Sequence, residues 1–479
     1  MMTVTAQPTG KVKSAEADRA TQDRHRPTAR AWVIVGLLVV FQIIAFADKA
    51  VLGLVAPQAM PDLGLSPTQF GFIGSAFFFL YAIVSVITGI LASKFSVRWI
   101  ILALGMVWAV MQFPMLLGGG AAVLLATRII LGGAEGPATA MSLTSAHTWF
   151  HSSRRALPSN LIAIGSTMGP VFAAPFIAWV IGIWGWRWAF GALGIIGLVW
   201  ITIWLIFGGD GPYSARATKA AGLREDAAAP TAEKRENDSD AVDQQKPVNI
   251  WYALFSLAFL AALLGGASNF WVQGFLTTWL PQYLDTVVGL SLSQVGVYTT
   301  FPWVLGALVL LVLGGLGQRL LKQGRSAHVA IAVPFGLSTA VAGLAFLLVP
   351  ATPAAFAVPL LTIAGGCSLV FPMSAAAVGY AVGPKQRPIM MATLGGFAAF
   401  GAIISPILVG WLMSAAGYQT PAKGVEPSAA MIAAMTEGVH SAFLITGVFL
   451  VVAGLLAALL LRPERLGRRL QEHHVKADS

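Results

Sequence analysis

The sequence predicts an all-α polytopic membrane protein, with twelve transmembrane helices in two pseudo-symmetric six-helix bundles. Three observations predict it: twelve long apolar stretches, a lopsided distribution of positive charge, and one polar break near the middle. Of 479 residues, 57% are hydrophobic and 10% charged, where a soluble domain has about 25% charged. Mean hydropathy is +0.75. The stretches run 31–56, 67–92, 98–118, 121–148, 158–184, 187–207, 250–282, 291–316, 327–349, 353–380, 388–416 and 438–461. Each offers the roughly 20 residues that a helix needs to cross a bilayer. Backbone groups in lipid must bond within their own segment, which selects helices. The third and fourth stretches are separated mainly by Gly118-Gly119-Gly120; merged, they would be too long for one crossing.

Charge then orients the chain. Of 30 Lys and Arg, all but Lys49, Arg128, Arg187 and Lys423 fall in the N-terminal tail or in alternate connections. Positive flanks stay cytoplasmic, so both termini are expected inside a bacterial-type inner membrane, with an even number of crossings. A net charge of +10 raises nucleic acid as a partner. It is set aside because the basic residues flank membrane spans and do not gather on one soluble face. The first 30 residues are polar and the first span is full length, so that span is expected to act as the insertion signal. The lone Cys367 reads as a small packing residue.

The break covers 208–249, a stretch of Gly, Pro, Ala and mixed charge that cannot bury enough surface to order itself. It divides the chain into a cytoplasmic tail (1–30), a first six-helix bundle (31–207), a cytoplasmic linker (208–249), a second bundle (250–461) and a cytoplasmic tail (462–479). The halves echo each other. Gly89-Ile90-Leu91-Ala92-Ser93-Lys94 follows the second span, and Gly314-Gly315-Leu316-Gly317-Gln318-Arg319 follows the eighth.

The carboxylates carry the functional reading. Of 20 Asp and Glu, only Asp48 and Glu135 fall inside the predicted spans. A carboxylate at bilayer depth costs about 2.5–3.5 kcal/mol on insertion scales and marks a functional site by default. Each has a basic neighbour in sequence, Lys49 and Arg128. Arg128 and Glu135 are seven residues apart, close to two turns, and so share a helix face. Asp48 and Lys49 leave their helix about 100° apart, so Asp48 is expected to turn to the fourth helix and Lys49 to a central cavity. Two readings stand here. The charges are permanent ion pairs that hold helices together, or the carboxyls load and release protons as burial and neighbouring cations shift them.

Several segments carry a resemblance. They are Phe46-Ala47-Asp48-Lys49, Ser75 to Tyr81, and Arg128-Ile129-Ile130-Leu131-Gly132-Gly133-Ala134-Glu135-Gly136. Trp149-Phe150 with Arg154-Arg155, Gly185-Trp186-Arg187-Trp188-Ala189-Phe190 and Phe275 to Leu284 complete the set. With them the chain resembles a major facilitator superfamily transporter, and more narrowly the anion:cation symporter family, which takes up organic anions with protons. The resemblance implies the major facilitator fold, whose halves rock around a central site. It implies a proton-coupled symporter importing a small organic carboxylate, working as a monomer with no cofactor or metal. It also implies Asp48 and Glu135 as the protonation pair, with Arg128 beside them, and Tyr81 at a substrate-contacting position. Three departures stand out: Lys49 where the family has Arg, Ser93 and Ser96 in place of Asp and Gly in the inner-loop motif, and Gln318 for the second-half acid. The last two remove the charges of the usual outward-open latch.

Lys49 is a point charge where Arg would grip a carboxylate with two parallel bonds, so recognition depends more on the rest of the pocket. Its candidate members are Asn269 and Gln273 with Trp271, on the seventh helix, and Ser166 and Thr167 on the fifth. Each of these is equally open to a reading as helix–helix glue. Few hydroxyl-binding groups line the pocket, which favours an aromatic or short aliphatic carboxylate. Two other functions are weighed. A proton-driven efflux antiporter fits Gly165-Ser166-Thr167-Met168-Gly169-Pro170, but Lys49 would repel cationic cargo. A non-transporting anion sensor lacks a signalling domain. Enzymatic metal chemistry finds no support, since His147 and His151 have no acidic or Cys ligands nearby.

Overall fold

The computed structural model describes residues 28–151, 154–214, 250–382 and 386–468. The expected linker from 215 onward, most of both tails and the side chain of Ser93 lie outside the described residues. Twelve helices are long and apolar enough to cross a membrane: α1 (Ala29–Leu63), α2 (Pro67–Ala92), α3 (Val97–Leu116), α4 (Ala121–His147), α5 (Ala156–Trp184), α6 (Trp186–Phe207), α7 (Leu257–Thr278), α8 (Leu292–Lys322), α9 (His328–Leu348), α10 (Ala354–Tyr380), α11 (Ile389–Ala415) and α12 (Ala429–Leu460). No strand occurs among the described residues.

Helix ends differ from the sequence expectation: α7 starts at Leu257 after a separate short helix at Ile250–Leu254, α8 runs on to Lys322, and two helices gain polar turns. Helix α1 continues through Pro57 and Pro61 to Leu63 and ends on Gly64 at φ 62°, so Asp62 is helical. Helix α12 begins at Ala429, capped by the Ser428 side chain, and thereby takes in Glu437, which is exposed. Both extensions add polar turns, which hydropathy alone does not count as span.

The two halves repeat in detail. Leu65-Ser66-Pro67-Thr68-Gln69-Phe70-Gly71 and Leu290-Ser291-Leu292-Ser293-Gln294-Val295-Gly296 open the second helix of each half. In both, the serine and the glutamine form a reciprocal capping box, which satisfies two otherwise orphaned backbone donors. The third helices are capped in parallel as well. Asp210, just after α6, accepts from the Ser96 hydroxyl and the Arg98 backbone N–H. Glu464, just after α12, accepts from the Ala327 and His328 backbone N–H groups. A carboxylate at a helix N-terminus complements its dipole. A carboxylate from the far end of the same half thus stands at Ser96, the motif's glycine position, three residues after the Ser93 that replaces its acid.

Chain termini and the α6–α7 connection share one end of the bundle, the terminal end; the opposite end is the distal end. The contacts between halves concentrate distally, where α2 packs on α11 and α5 on α8. The glycines that end the two repeats sit in these seams. A Cβ on Gly71 would stand 2.2 Å from the Pro406 carbonyl oxygen, and one on Gly296 would stand 2.7 Å from the Ala178 methyl. Thr68 donates to Ser414 at 2.9 Å and Thr420 to the Leu65 carbonyl at 2.7 Å across the halves, while within the second half Trp279 Nε1 donates to the Pro406 carbonyl at 2.9 Å. Lys423 pairs with Asp62 at 2.5 Å, and Arg187 reaches Asp62 at 3.1 Å. Arg187 also donates to the Met115 and Gly119 carbonyls, tying the α3–α4 turn to α6. The distal end is closed.

Gly71→Val drives a side chain into the Pro406 backbone and should favour distal opening. With Thr278→Cys as reporter, labelling by a membrane-impermeant maleimide from the distal side should rise over the Thr278→Cys single variant. Unchanged labelling would show that the seam does not control access.

Candidate functional site

Charged residues meet where α1 crosses α4, next to irregular turns in α2. Residues 77–80 of α2 are turn, not helix. A Cβ on Gly132 would fall 1.5 Å from the Phe77 carbonyl oxygen, and one on Gly136 would fall 2.1 Å from that of Tyr81. The glycines of the α4 motif thus let it press against the α2 backbone at Phe77 and Tyr81.

The ion pairs cross between the sequence neighbours. Arg128 pairs with Asp48 at 3.3 Å and Lys49 with Glu135 at 3.7 Å. The sequence reading held Asp48–Lys49 and Arg128–Glu135 as possible permanent pairs, and the geometry corrects it. Adjacent residues diverge around α1, and two turns along α4 separate Arg128 from Glu135 by about 10 Å. Each helix can therefore pair only with the other. All four are buried: Asp48 0%, Lys49 7%, Arg128 1% and Glu135 4% exposed. Lys49 does not snorkel.

The two pairs differ in quality. Asp48 Oδ1 accepts from Gln112 Nε2 at 2.6 Å and Oδ2 from Arg128 Nη1, which also donates to the Asp48 carbonyl at 3.2 Å. Two donors hold that carboxylate. Neither Glu135 oxygen has a hydrogen-bond partner; its ion pair is the loose one with Lys49, and the Asp48 carboxyl lies close enough to act on it electrostatically. The Lys49 ammonium in turn lies over Phe46 at 3.9 Å, Tyr81 at 5.3 Å and Phe77 at 6.0 Å. Aromatic faces attract a cation but offer no acceptor lone pair in its plane of charge. Above it, Lys49, Leu52, Gly74, Phe77, Phe78, Arg128, Thr277 and Thr278 enclose a cavity of about 10 Å³, the room of about one water. This is the floor of the distal seal. Gln112, Thr277 and Thr278 were not anticipated; Gln112, a lone amide within an apolar span, was the available signal.

The other candidates separate. Asn269 donates to the Gly265 carbonyl and to Thr339, and its oxygen accepts from the Val370 N–H. Val370 lies at the break in α10 between Ser368 and Phe371, so Asn269 satisfies a donor that the broken helix frees. Trp271 donates to Thr446 at 2.9 Å and packs on Phe449. Both make these bonds within the second half. Gln273 is half-buried and lies one turn from Thr277, which lines the cavity with Lys49. Thr167 returns its hydroxyl to the Ile164 carbonyl, whereas the Ser166 hydroxyl is unpartnered. His147 contacts Ser159 at 2.8 Å, and no metal-binding cluster occurs among the described residues.

Comparison with known proteins follows the same lines. The Major Facilitator Superfamily model matches residues 38–365 and 330–477. The chain is 26% identical over 394 residues to a probable sulfoacetate transporter, SauU, of Cupriavidus necator, covering 81% of this chain and 89% of that one. It is 26% identical over 396 residues to the hexuronate transporter of Bacillus subtilis (80% and 88% covered). A probable galactarate/D-glucarate transporter of Escherichia coli, GarP, is 25% identical over 395 residues (79% and 87%). Among solved structures, a bacterial homologue of the human lysosomal transporter Spinster, inward-facing and occupied, superposes with TM-score 0.74 at 18% identity, covering 93% of this chain and 98% of that one.

Removing one partner of a buried pair leaves a stranded charge, which costs about 3–5 kcal/mol. Arg128→Ala should therefore lower the unfolding temperature in detergent strongly. Gln112→Leu, which strands one carboxylate oxygen, should cost about 1–3 kcal/mol. Asn269→Leu should destabilise comparably, whereas Gln273→Leu should leave thermal stability unchanged within error.

By its match over most of its length, and with organic-anion transporters among its relatives, this chain is a transporter and not an enzyme: it belongs to the Major Facilitator Superfamily.

Proposed function

We propose that the chain is a proton-coupled symporter that imports a small organic carboxylate or related organic anion by alternating access. It acts as a monomer in a cytoplasmic membrane, with both termini inside. The observation that carries this reading is the buried Lys49 ammonium, 3.7 Å from the Glu135 carboxylate, whose oxygens accept no hydrogen bond.

The argument is charge balance. A buried ammonium without a counter-charge is strongly unfavourable. Lys49 is served by ionised Glu135, or by the carboxylate of a bound anion. If Glu135 takes a proton, Lys49 is released to the anion. If the anion leaves, Glu135 must ionise to restore the pair. Proton and anion thereby become mutually required ligands. Asp48, held by Arg128 and Gln112, serves in this account as a fixed anion that positions Arg128. Glu135 is the group that titrates during the cycle. Tyr81 and Gln273 are the proposed orienting contacts, with Ser166 across α5. With the termini cytoplasmic, the closed distal end faces outward and the site opens inward.

The relatives support an organic anion as cargo: their names give sulfoacetate, hexuronate and galactarate. In proteoliposomes supplied with those three anions, at least one should accumulate when the outside is acidic. Glu135→Gln should lose gradient-driven accumulation yet retain exchange of internal for external anion. Lys49→Ala should lose both. If Glu135→Gln vesicles still accumulated anion in proportion to the imposed pH gradient, proton carriage by Glu135 would be excluded.

A further inference from the structure

The contact between α1 and α4 contains polar groups that the ion pairs do not use. Gln42 is fully buried (0% exposed), and neither its amide oxygen nor its nitrogen has a partner. Ser142 (0%) and Ser145 (1%) are buried with unpartnered hydroxyls. These positions are not scattered. Gln42 precedes Lys49 by seven residues, and Ser142 follows Glu135 by seven. Seven residues are two turns and return to the same helix face. Because α1 and α4 run in opposite directions and touch at Lys49–Glu135, both steps lead toward the terminal end and bring Gln42 and Ser142 to one level. Helix α5 packs on α1 at the same level. A Cβ on Gly165 would lie 3.2 Å from Gln42 Cβ, and the next residue, Ser166, also carries an unpartnered hydroxyl. His147, two residues beyond Ser145, lines a cleft of about 300 Å³ with Thr144, Arg155 and Asp210 at the terminal end.

Buried amide and hydroxyl groups are bonded in nearly all native proteins, to protein or to ordered water. A site with several convergent polar atoms is the kind that holds water. We propose that Gln42, Ser142 and Ser145, with Ser166 beside them, hold a file of water that conducts protons between Glu135 and the cleft at His147. The path leaves from the unpartnered oxygens of Glu135, on the side away from the distal seal. It gives the proton its own route to the terminal end, separate from the opening through which the anion passes. No bond is made or broken besides O–H bonds: each water or hydroxyl accepts a proton on one side and donates one on the other. The inference rests on the titration of Glu135 proposed above.

The test follows the proton without any transported anion. In membranes at acidic pH, the carbonyl stretch of protonated Glu135 is assigned by its loss in Glu135→Gln. Its isotope shift after a jump into D2O is then timed. Gln42→Leu and Ser142→Val should each slow that shift about tenfold, the factor that one lost hydrogen bond corresponds to. Ser142→Thr, which keeps the hydroxyl, should restore it. All three variants should still exchange internal for external anion, and so report their own folding. Wild-type exchange speed in both Gln42→Leu and Ser142→Val would overturn the path. No Glu135 carbonyl band at any acidic pH would instead overturn the titration of Glu135. The two failures read differently.

Discussion

The arrangement depends on one constraint: a lysine ammonium enclosed at the crossing of α1, α2 and α4 has aromatic faces on several sides and a single carboxylate within 4 Å. Hydrocarbon and ring faces cannot solvate it, so the charge must be answered by something. Around it the chain has spent its polar resources unevenly. Asp48 receives two donors and Glu135 receives none. In the proposed cycle that asymmetry distinguishes a fixed pair from an exchangeable one, and it follows from geometry more than from residue type. Gln112 comes from the end of α3 and can reach only the α1 carboxylate.

The scaffold makes that geometry possible by removing side chains where helices must touch. Gly132 and Gly136 bring α4 against the irregular turn of α2. Gly71 and Gly296, in matching places of the two halves, bring the halves together at the distal end. The segment Phe275 to Leu284 lies in the same seam. The Thr278 side chain meets the Gly74 position and Pro281 the Gly53 position, while Trp279 braces the segment against Pro406 within the second half. Tight distal packing and looser terminal packing are the two sides of a rocking fold.

Much of this was legible in sequence, and what was not has a physical reason. The number of spans follows from hydropathy, because a bilayer imposes one length on every crossing. The direction of Asp48 and Lys49 follows from the helical angle between neighbours. The crossed pairing does not, because sequence proximity says nothing about which helix lies opposite. Asn269 and Trp271 look like pocket residues for the same reason: an amide and an indole in lipid signal a partner without saying whether it is a ligand or a broken helix. The repeated capping boxes at Ser66 and Ser291 were present in the sequence as Leu-Ser, Gln and Gly at fixed spacing. They were obscured by the weaker glycine and basic-residue echo at the other ends of those helices. The substitution of Asp by Ser in the inner-loop motif suggested a lost charge. Asp210, more than a hundred residues away, places a carboxylate on Ser96 nearby, which no local motif reveals.

The most direct measurement of the central claim is the number of protons taken up when an anion binds to the purified protein. It can be read from the buffer dependence of the binding heat, at a pH where Glu135 is ionised in the free carrier. The account predicts uptake of about one proton per anion in the wild type, and none in Glu135→Gln. Binding of the anion with no proton uptake in the wild type, or the same uptake in Glu135→Gln, would contradict it.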